Sequence, residues 1–194
     1  MQEVNVTFTP GKKLDGMCTF RPEDSYYQVE TERLAFIPLT KAHIKQWTAF
    51  FVDNSTERFL GFEGSDKSSE EKAEFWIQKQ IDRKNKKEFG QLAIIEKISG
   101  EFIGLAGIIP RDIDGKEEYE VTYSLLFSSW GKGYATEAAV KFKEYMLENT
   151  AVASLISIIH KENDASIKVA KKNEMKISSE MTFMEMPVYI FRFQ

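Results

Sequence analysis

From about residue 31 the apolar positions of this chain alternate between two rhythms. ERLAFIPL (32–39) is a strand candidate. TKAHIKQWTAFF (40–51) opens on Thr40, an N-cap residue, then spaces Ile44, Trp47 and Phe51 at helical intervals. SSEEKAEFWIQKQIDRKNKK (68–87) repeats that form. Ser68 or Ser69 caps, acids fill the first turn, bases fill the last, and Ala73, Trp76, Ile77 and Ile81 make the stripe to be buried. Three strand-like runs follow. FGQLAIIEK (89–97) and EFIGLAGIIP (101–110) are joined through Ser99-Gly100, and Asp114-Gly115 turns the chain into YEVTYSLLF (119–127). A helix then runs from about Tyr134 to Glu148. ASLISIIH (153–160) has the unbroken apolar run of a strand buried on both faces. NDASIKVAKKNE (163–174) reads as a shorter helix capped by Asn163 or Asp164, and strands at about 176–182 and 185–193 close the chain.

The order β-α-α-β-β-β-α-β-α-β-β predicts an α/β (α+β) fold. It has a mixed, mostly antiparallel sheet of about seven strands, four helices and one parallel crossover. Residues 1–27, broken by Pro10, Gly11, Gly16 and Pro22, are the least patterned and read as an N-terminal extension, with a short strand around Val4, Val6 and Phe8. Residues 28–194 form one domain.

Charge and composition narrow the function classes. The net charge of −4 argues against nucleic-acid binding, which needs a positive surface. A single cysteine, Cys18, excludes an internal disulfide. The start of the chain has no apolar signal core, and the most apolar stretches, 102–110 and 155–159, are too short to span a bilayer. These features predict a cytoplasmic protein with no membrane association.

The glycines of Trp130-Gly-Lys-Gly-Tyr-Ala135 raise a chemical question, because they sit at the start of a strong helix. A helix N-terminus presents backbone N–H groups that the helix leaves unsatisfied, and its dipole favours an anion there. Glycine allows a tight strand-to-helix turn and lets an anion approach the backbone without meeting a Cβ. Lys132 adds a positive charge. The stretch reads either as a phosphate or pyrophosphate cradle or as a plain Gly-rich connection. It lacks the first glycine and the final hydroxyl of a P-loop, and the third glycine of a dinucleotide fingerprint.

Residues 120–138, EVTYSLLFSSWGKGYATEA, resemble the acyl-coenzyme-A loop of the GNAT superfamily of N-acetyltransferases. Within it they are most similar to the branch of RimJ/RimL-type acetylases of ribosomal-protein N-termini. ETERLAFIPLT upstream and Asn163-Asp-Ala-Ser-Ile-Lys-Val-Ala-Lys-Lys172 downstream match the branch in order, so the likeness spans about residues 29–193. Thr122 stands where the branch has Gly and Phe127 where it has Pro. Asn173-Glu174-Met175 replaces x-Gly-Phe, so Asn173 is expected to supply the left-handed turn that glycine usually gives.

The resemblance implies transfer of an acetyl group from acetyl-coenzyme A to a primary amine by direct attack, with two central strands splayed apart. It implies that Gly131, Lys132, Gly133, Tyr134, Ala135 and Thr136 bind the pyrophosphate beside Trp130. The backbone of Leu125, Leu126 and Phe127 pairs with the pantetheine arm and offers an oxyanion donor near Leu126. Asn163 anchors pantetheine or simply caps its helix. A tyrosine often protonates the leaving thiolate in the family, but that position is Ala170 here. Ser166 is the candidate acid, or else an ordinary first-turn serine. Glu120 is the candidate base, or else a solvated strand-end acid. The competing function is a non-catalytic acyl-coenzyme-A-binding module.

Other features carry less. His160 and His43 read as surface or half-exposed residues, and the two histidines and one cysteine make no metal signature. Asp112-x-Asp114-Gly115 is a turn rather than a calcium loop. Trp47, Trp76 and Phe51 read as core, with some residues of their two helices lining an acceptor groove. The acceptor is a small-molecule or peptide amine, and the negative net charge favours a cationic one. The protein is a monomer or a homodimer, with the C-terminal VYIFRF as a candidate edge strand.

Overall fold

The computed structural model describes residues 19–52, 55–62 and 65–194. The short strand expected around Val4, Val6 and Phe8, and Cys18, lie outside the described residues. Seven strands form one sheet: β1 (Leu34–Ile37), β2 (Gln91–Glu96), β3 (Phe102–Ile113), β4 (Lys116–Leu125), β5 (Leu155–His160), β6 (Lys176–Phe183) and β7 (Met186–Phe193). Their spatial order is β1-β2-β3-β4-β5-β7-β6. All neighbours are antiparallel except β4 and β5. The helices are α1 (Ile44–Val52), α2 (Ser69–Asn85), α3 (Tyr134–Asn149) and α4 (Asp164–Lys172). Among the described residues no helix is long and apolar enough to cross a membrane.

Period-two patterning divides the sheet between two helical layers. Leu92, Ile94, Ala106, Ile108 and Val121 face α3, meeting Ala138, Ala139, Phe142 and Met146. Ala93 and Leu105 face the other way, onto Trp47 and Phe50 of α1 and Ala73 and Ile77 of α2. Ser68 starts α2 as expected: its hydroxyl accepts the Glu71 N–H, and the Glu71 carboxylate accepts the Ser68 N–H. Residues 19–27, assigned to the extension from sequence, meet the α3-side core through Tyr26, which is fully buried beside Phe89, Phe142 and Tyr145.

Two local expectations change. VYIFRF is not an edge: β7 lies between β5 and β6, and the edge strand is the largely exposed β6. The left-handed turn after α4 falls on Glu174 (φ +63°), while Asn173 stays at φ −85°. Asn173 is instead buried, with its Nδ2 donating to Ala139 O at 3.4 Å. Lys143 of α3 bridges to the Glu174 carboxylate at 3.0 Å and donates to Asn173 O at 3.3 Å. The turn therefore keeps its position, and a non-glycine residue carries the strain.

Candidate active site

β4 and β5 meet at one parallel pair, Glu120 with Ile156, and then part. Beyond it the Ser157 hydroxyl reaches back to Val121 O at 2.9 Å. The parting opens a cavity of about 430 Å³ bounded by residues 120–125 of β4 and 157–160 of β5. This explains why β5, unbroken in its apolar run, leaves Ile158 and His160 only half-buried.

Leu126 donates its N–H to Ile103 O at 2.9 Å. Hydrogen-bonding direction alternates along an antiparallel strand. The even residues of β4 therefore bond toward β3, and Tyr123 and Leu125 turn their backbone groups toward the parted side. An oxyanion donor at Leu126 is thus not available; the N–H groups of Tyr123 and Leu125 face the cavity instead. Leu125 O is occupied by the Trp130 indole N–H at 2.9 Å. The strand ends at Leu125, and Phe127–Ser129 form a 3₁₀ turn with Phe127 exposed, so strand-like pairing does not extend through Leu126 and Phe127.

The glycine loop meets the same cavity at the start of α3. Gly131 and Gly133 have φ of +75° and +83°, a conformation open to glycine at little cost. Gly133 is the N-cap and has no side chain to satisfy the first turn. No backbone N–H from Gly131 through Thr136 donates to another group among the described residues. A Cβ on Gly131 would meet nothing within 4 Å, so it is the positive φ and not crowding that calls for glycine there. Gly131, Gly133, Tyr134, Ala135 and Thr136 border the cavity, while Lys132 is exposed on the outer side of the loop.

The segment just before β1 clamps this loop, a role the sequence did not reveal. Arg33 donates from Nε to Glu137 Oε2 at 2.7 Å and from a terminal nitrogen to Lys132 O at 3.0 Å, and it packs over the Tyr134 ring. Thr31 donates to Glu137 Oε1 at 2.5 Å. Burial acts to raise the Glu137 pKa, but the bonds from Thr31 and Arg33 outweigh it and hold the carboxyl below its usual range. The two stretches that look most family-like, 31–34 and 130–138, are thus partners in space.

At the entrance to α4, Asn163 is the N-cap: its Oδ1 accepts the Ser166 N–H at 3.1 Å. The Tyr123 phenol donates to Ser166 O at 3.1 Å. Burial pushes the phenol pKa well up, and its bond with the Ser166 side chain offsets this in part. The phenol is therefore a neutral donor across physiological pH, coupled to Ser166. Both residues border the cavity.

Glu120 is buried, not solvated: only 6% of it is exposed. Its Oε2 accepts from Arg111 Nε at 2.6 Å and its Oε1 from Ile158 N–H at 3.3 Å. Ile109 of β3 pairs with Glu120, so Arg111 lies diagonally across on the same face. That face also carries Thr122 and Ser124 and looks toward Phe50 of α1 and Trp76 of α2. His160 joins this wall rather than the outer surface, stacked on Phe59 at 4.8 Å. Nothing in the sequence marked Arg111, which lies in a predicted hairpin turn. Among the described residues, no group of three or more His, Cys, Asp or Glu could hold a metal.

Residues 33–176 match the acetyltransferase (GNAT) domain model. The chain belongs to this family. An uncharacterized protein of Bacillus subtilis (strain 168), YkkB, is 33% identical over 111 residues, covering 56% of this chain. The match spans 64% of that relative's length. An acetyltransferase from Agrobacterium tumefaciens (strain C58) superposes with a TM-score of 0.71 at 22% identity, over 93% of this chain and 98% of that one. RimL, a ribosomal alpha-N-protein acetyltransferase solved with coenzyme A, superposes with a TM-score of 0.66 at 15% identity, over 84% of this chain and 94% of its own. At these identities the structural likeness is one of fold. The GNAT architecture accounts for the open seven-stranded sheet and the single parted strand pair.

Proposed function

We propose that this protein transfers an acetyl group from acetyl-coenzyme A to a primary amine, on a cofactor loop that resembles the RimJ/RimL-type branch but with an acceptor of its own. The observation that carries this reading is the row of undonated amides from Gly131 to Thr136, at the mouth of a cleft between β4 and β5, in a GNAT domain. Those amides and the α3 dipole suit a pyrophosphate. Tyr123 and Leu125 N–H groups suit an extended amide-bearing arm and a developing oxyanion. Asn163, which borders the cavity, would assist in holding that arm. The coenzyme A in the RimL structure supports the same choice of cosubstrate.

Acetyl-coenzyme A, when bound, supplies an activated thioester; the chain supplies position and proton transfer. The amine must be neutral to attack. Glu120 takes its proton, directly or through one water. As the amine nitrogen bonds to the carbonyl carbon, the C–S bond breaks and its electron pair stays on sulfur. Ser166, backed by the Tyr123 phenol, delivers a proton there. Tyr123 is the weaker choice for direct donor because its hydroxyl already donates to Ser166 O.

Free-thiol release from acetyl-coenzyme A over a panel of primary amines tests the reading. Amine-dependent release with formation of the N-acetyl product supports it. Tight binding of acetyl-coenzyme A with no release for any amine would favour the binding-module alternative.

A further inference from the structure

The acceptor half of the cavity has little negative charge. Among the described residues that border the whole cavity, Glu120 is the only acid, and Arg111, Lys168 and Lys172 are the strong bases. Lys168 and Lys172 belong to α4, at the loop side. On the acceptor side the charged pair is Glu120 with Arg111, set in a wall of Phe50, Leu60, Trp76, Phe183 and Met186. Glu120 is spoken for by only one guanidinium nitrogen. Arg111 uses Nε for that bond and lies over the Phe183 ring at 5.4 Å. Its two terminal nitrogens bond to no other group among the described residues. Arg111 is 22% exposed at its side chain, and the residue borders the cavity.

The Arg111 charge is met by the Glu120 carboxylate and is also felt by Lys79. Burial first, and then the like charges of Arg83 and Arg111, push the Lys79 pKa down to about 8. A polycationic amine would bring a second ammonium against Arg111 with no carboxylate to meet it.

Resting on the acetyl-transfer reading, we propose that the acceptor is a small zwitterionic amine, an α-amino acid with an apolar or aromatic side chain. Its ammonium meets the Glu120 carboxylate and its carboxylate meets the terminal nitrogens of Arg111. In an α-amino acid the two charges are joined through one carbon. Arg111 and Glu120 stand in direct contact at 2.6 Å, so a compact zwitterion can lie against the pair with each charge opposite its complement. The apolar wall takes the side chain, with the methionine and aromatic residues of the β6–β7 hairpin adapting to its shape. The net negative charge of the chain suggested a cationic acceptor, but the charges at this end do not follow that sum.

The test compares acceptors on the wild-type protein at saturating acetyl-coenzyme A, reading thiol release and N-acetyl product. L-phenylalanine and L-leucine should exceed phenethylamine and spermidine by at least ~30-fold in kcat/KM, because without the carboxylate the terminal nitrogens of a partly buried guanidinium go unmet. L-phenylalanine should also raise the melting temperature where phenethylamine does not. L-phenylalaninamide, which mimics a peptide N-terminus, should fall with the amines. In Arg111→Met, discrimination between L-phenylalanine and phenethylamine should vanish while acetyl-coenzyme A affinity holds. If that variant does not fold, the wild-type series decides alone. Equal or better use of spermidine, phenethylamine or phenylalaninamide overturns the proposal and leaves acetyl transfer standing. Absence of both turnover and thermal stabilisation with the amino acids overturns it too. Failure of the acetyl-transfer reading is distinct: it would show as no thiol release with any amine in the panel.

Discussion

The phenol oxygen of Tyr26 accepts the backbone N–H of Ile108 at 2.9 Å and donates to Gly90 O at 2.5 Å. One side chain thus ties the segment before β1 to β3 and to the start of β2. A Cβ on Gly107 would come closest to Gly90 O and within 2.7 Å of that phenol oxygen, which is why glycine sits there. Tyr26→Phe keeps the ring packing but leaves two buried backbone groups without a partner. It should cost about 1–3 kcal/mol in urea unfolding. An unchanged midpoint would mean that water or a rearranged strand replaces the phenol.

Glu174 offers a stabilising change. It occupies the left-handed region, where a Cβ costs about 1–2 kcal/mol. Its carboxylate is mostly exposed, so its pairing with Lys143 is worth less than that. Glu174→Gly should raise the melting temperature and Glu174→Ala should lower it, since alanine keeps the strain and loses the pair. A loss of stability in Glu174→Gly would show that Lys143 depends on this carboxylate more than its exposure implies.

The loop account separates backbone from side chain. Gly133→Val places a branched Cβ at φ +83°, beside the amides assigned to the pyrophosphate. Calorimetry should show acetyl-coenzyme A affinity falling at least ~10-fold while the variant remains folded. Lys132→Ala should weaken binding less, because the lysine is exposed and does not border the cavity. The reverse order would assign the pyrophosphate to Lys132 and remove the amide row from the account.

The acid assignment predicts that Ser166→Ala lowers kcat with little change in acetyl-coenzyme A affinity. Tyr123→Phe should do the same more mildly, since it supports Ser166 without giving the proton. If Ser166→Ala turns over as wild type does, water protonates the thiolate.

Much of this fold is legible along the chain, since Ser68, Thr40 and the paired glycines mark where elements start and turn. The β4–β5 splay was readable only through resemblance to a family, because parting of strands is a tertiary event with no local pattern, while the loop glycines alone left a phosphate cradle and a plain connection both open. The Arg111–Glu120 pair was not legible at all. Its two members lie on opposite sides of the Asp114-Gly115 turn, and only the diagonal register of β3 and β4 brings them together. For the same reason Glu120 read from the sequence more readily as a solvated strand-end acid than as a base. The left-handed residue after α4 was misplaced by one position because Asn173 has the better intrinsic preference, while burial against Ala139 holds it elsewhere.

The most direct test of the central claim is the pH profile of kcat/KM for Glu120→Gln against wild type, with acetyl-coenzyme A affinity and melting temperature measured alongside. Glutamine keeps size and hydrogen bonding but cannot accept the amine's proton. The account predicts unchanged cosubstrate affinity and a loss of ~10²–10⁴-fold near neutral pH. That gap should narrow as pH rises and more of the amine is already neutral. A loss of the same size at every pH, or no loss at all, would contradict a proton-accepting role for Glu120.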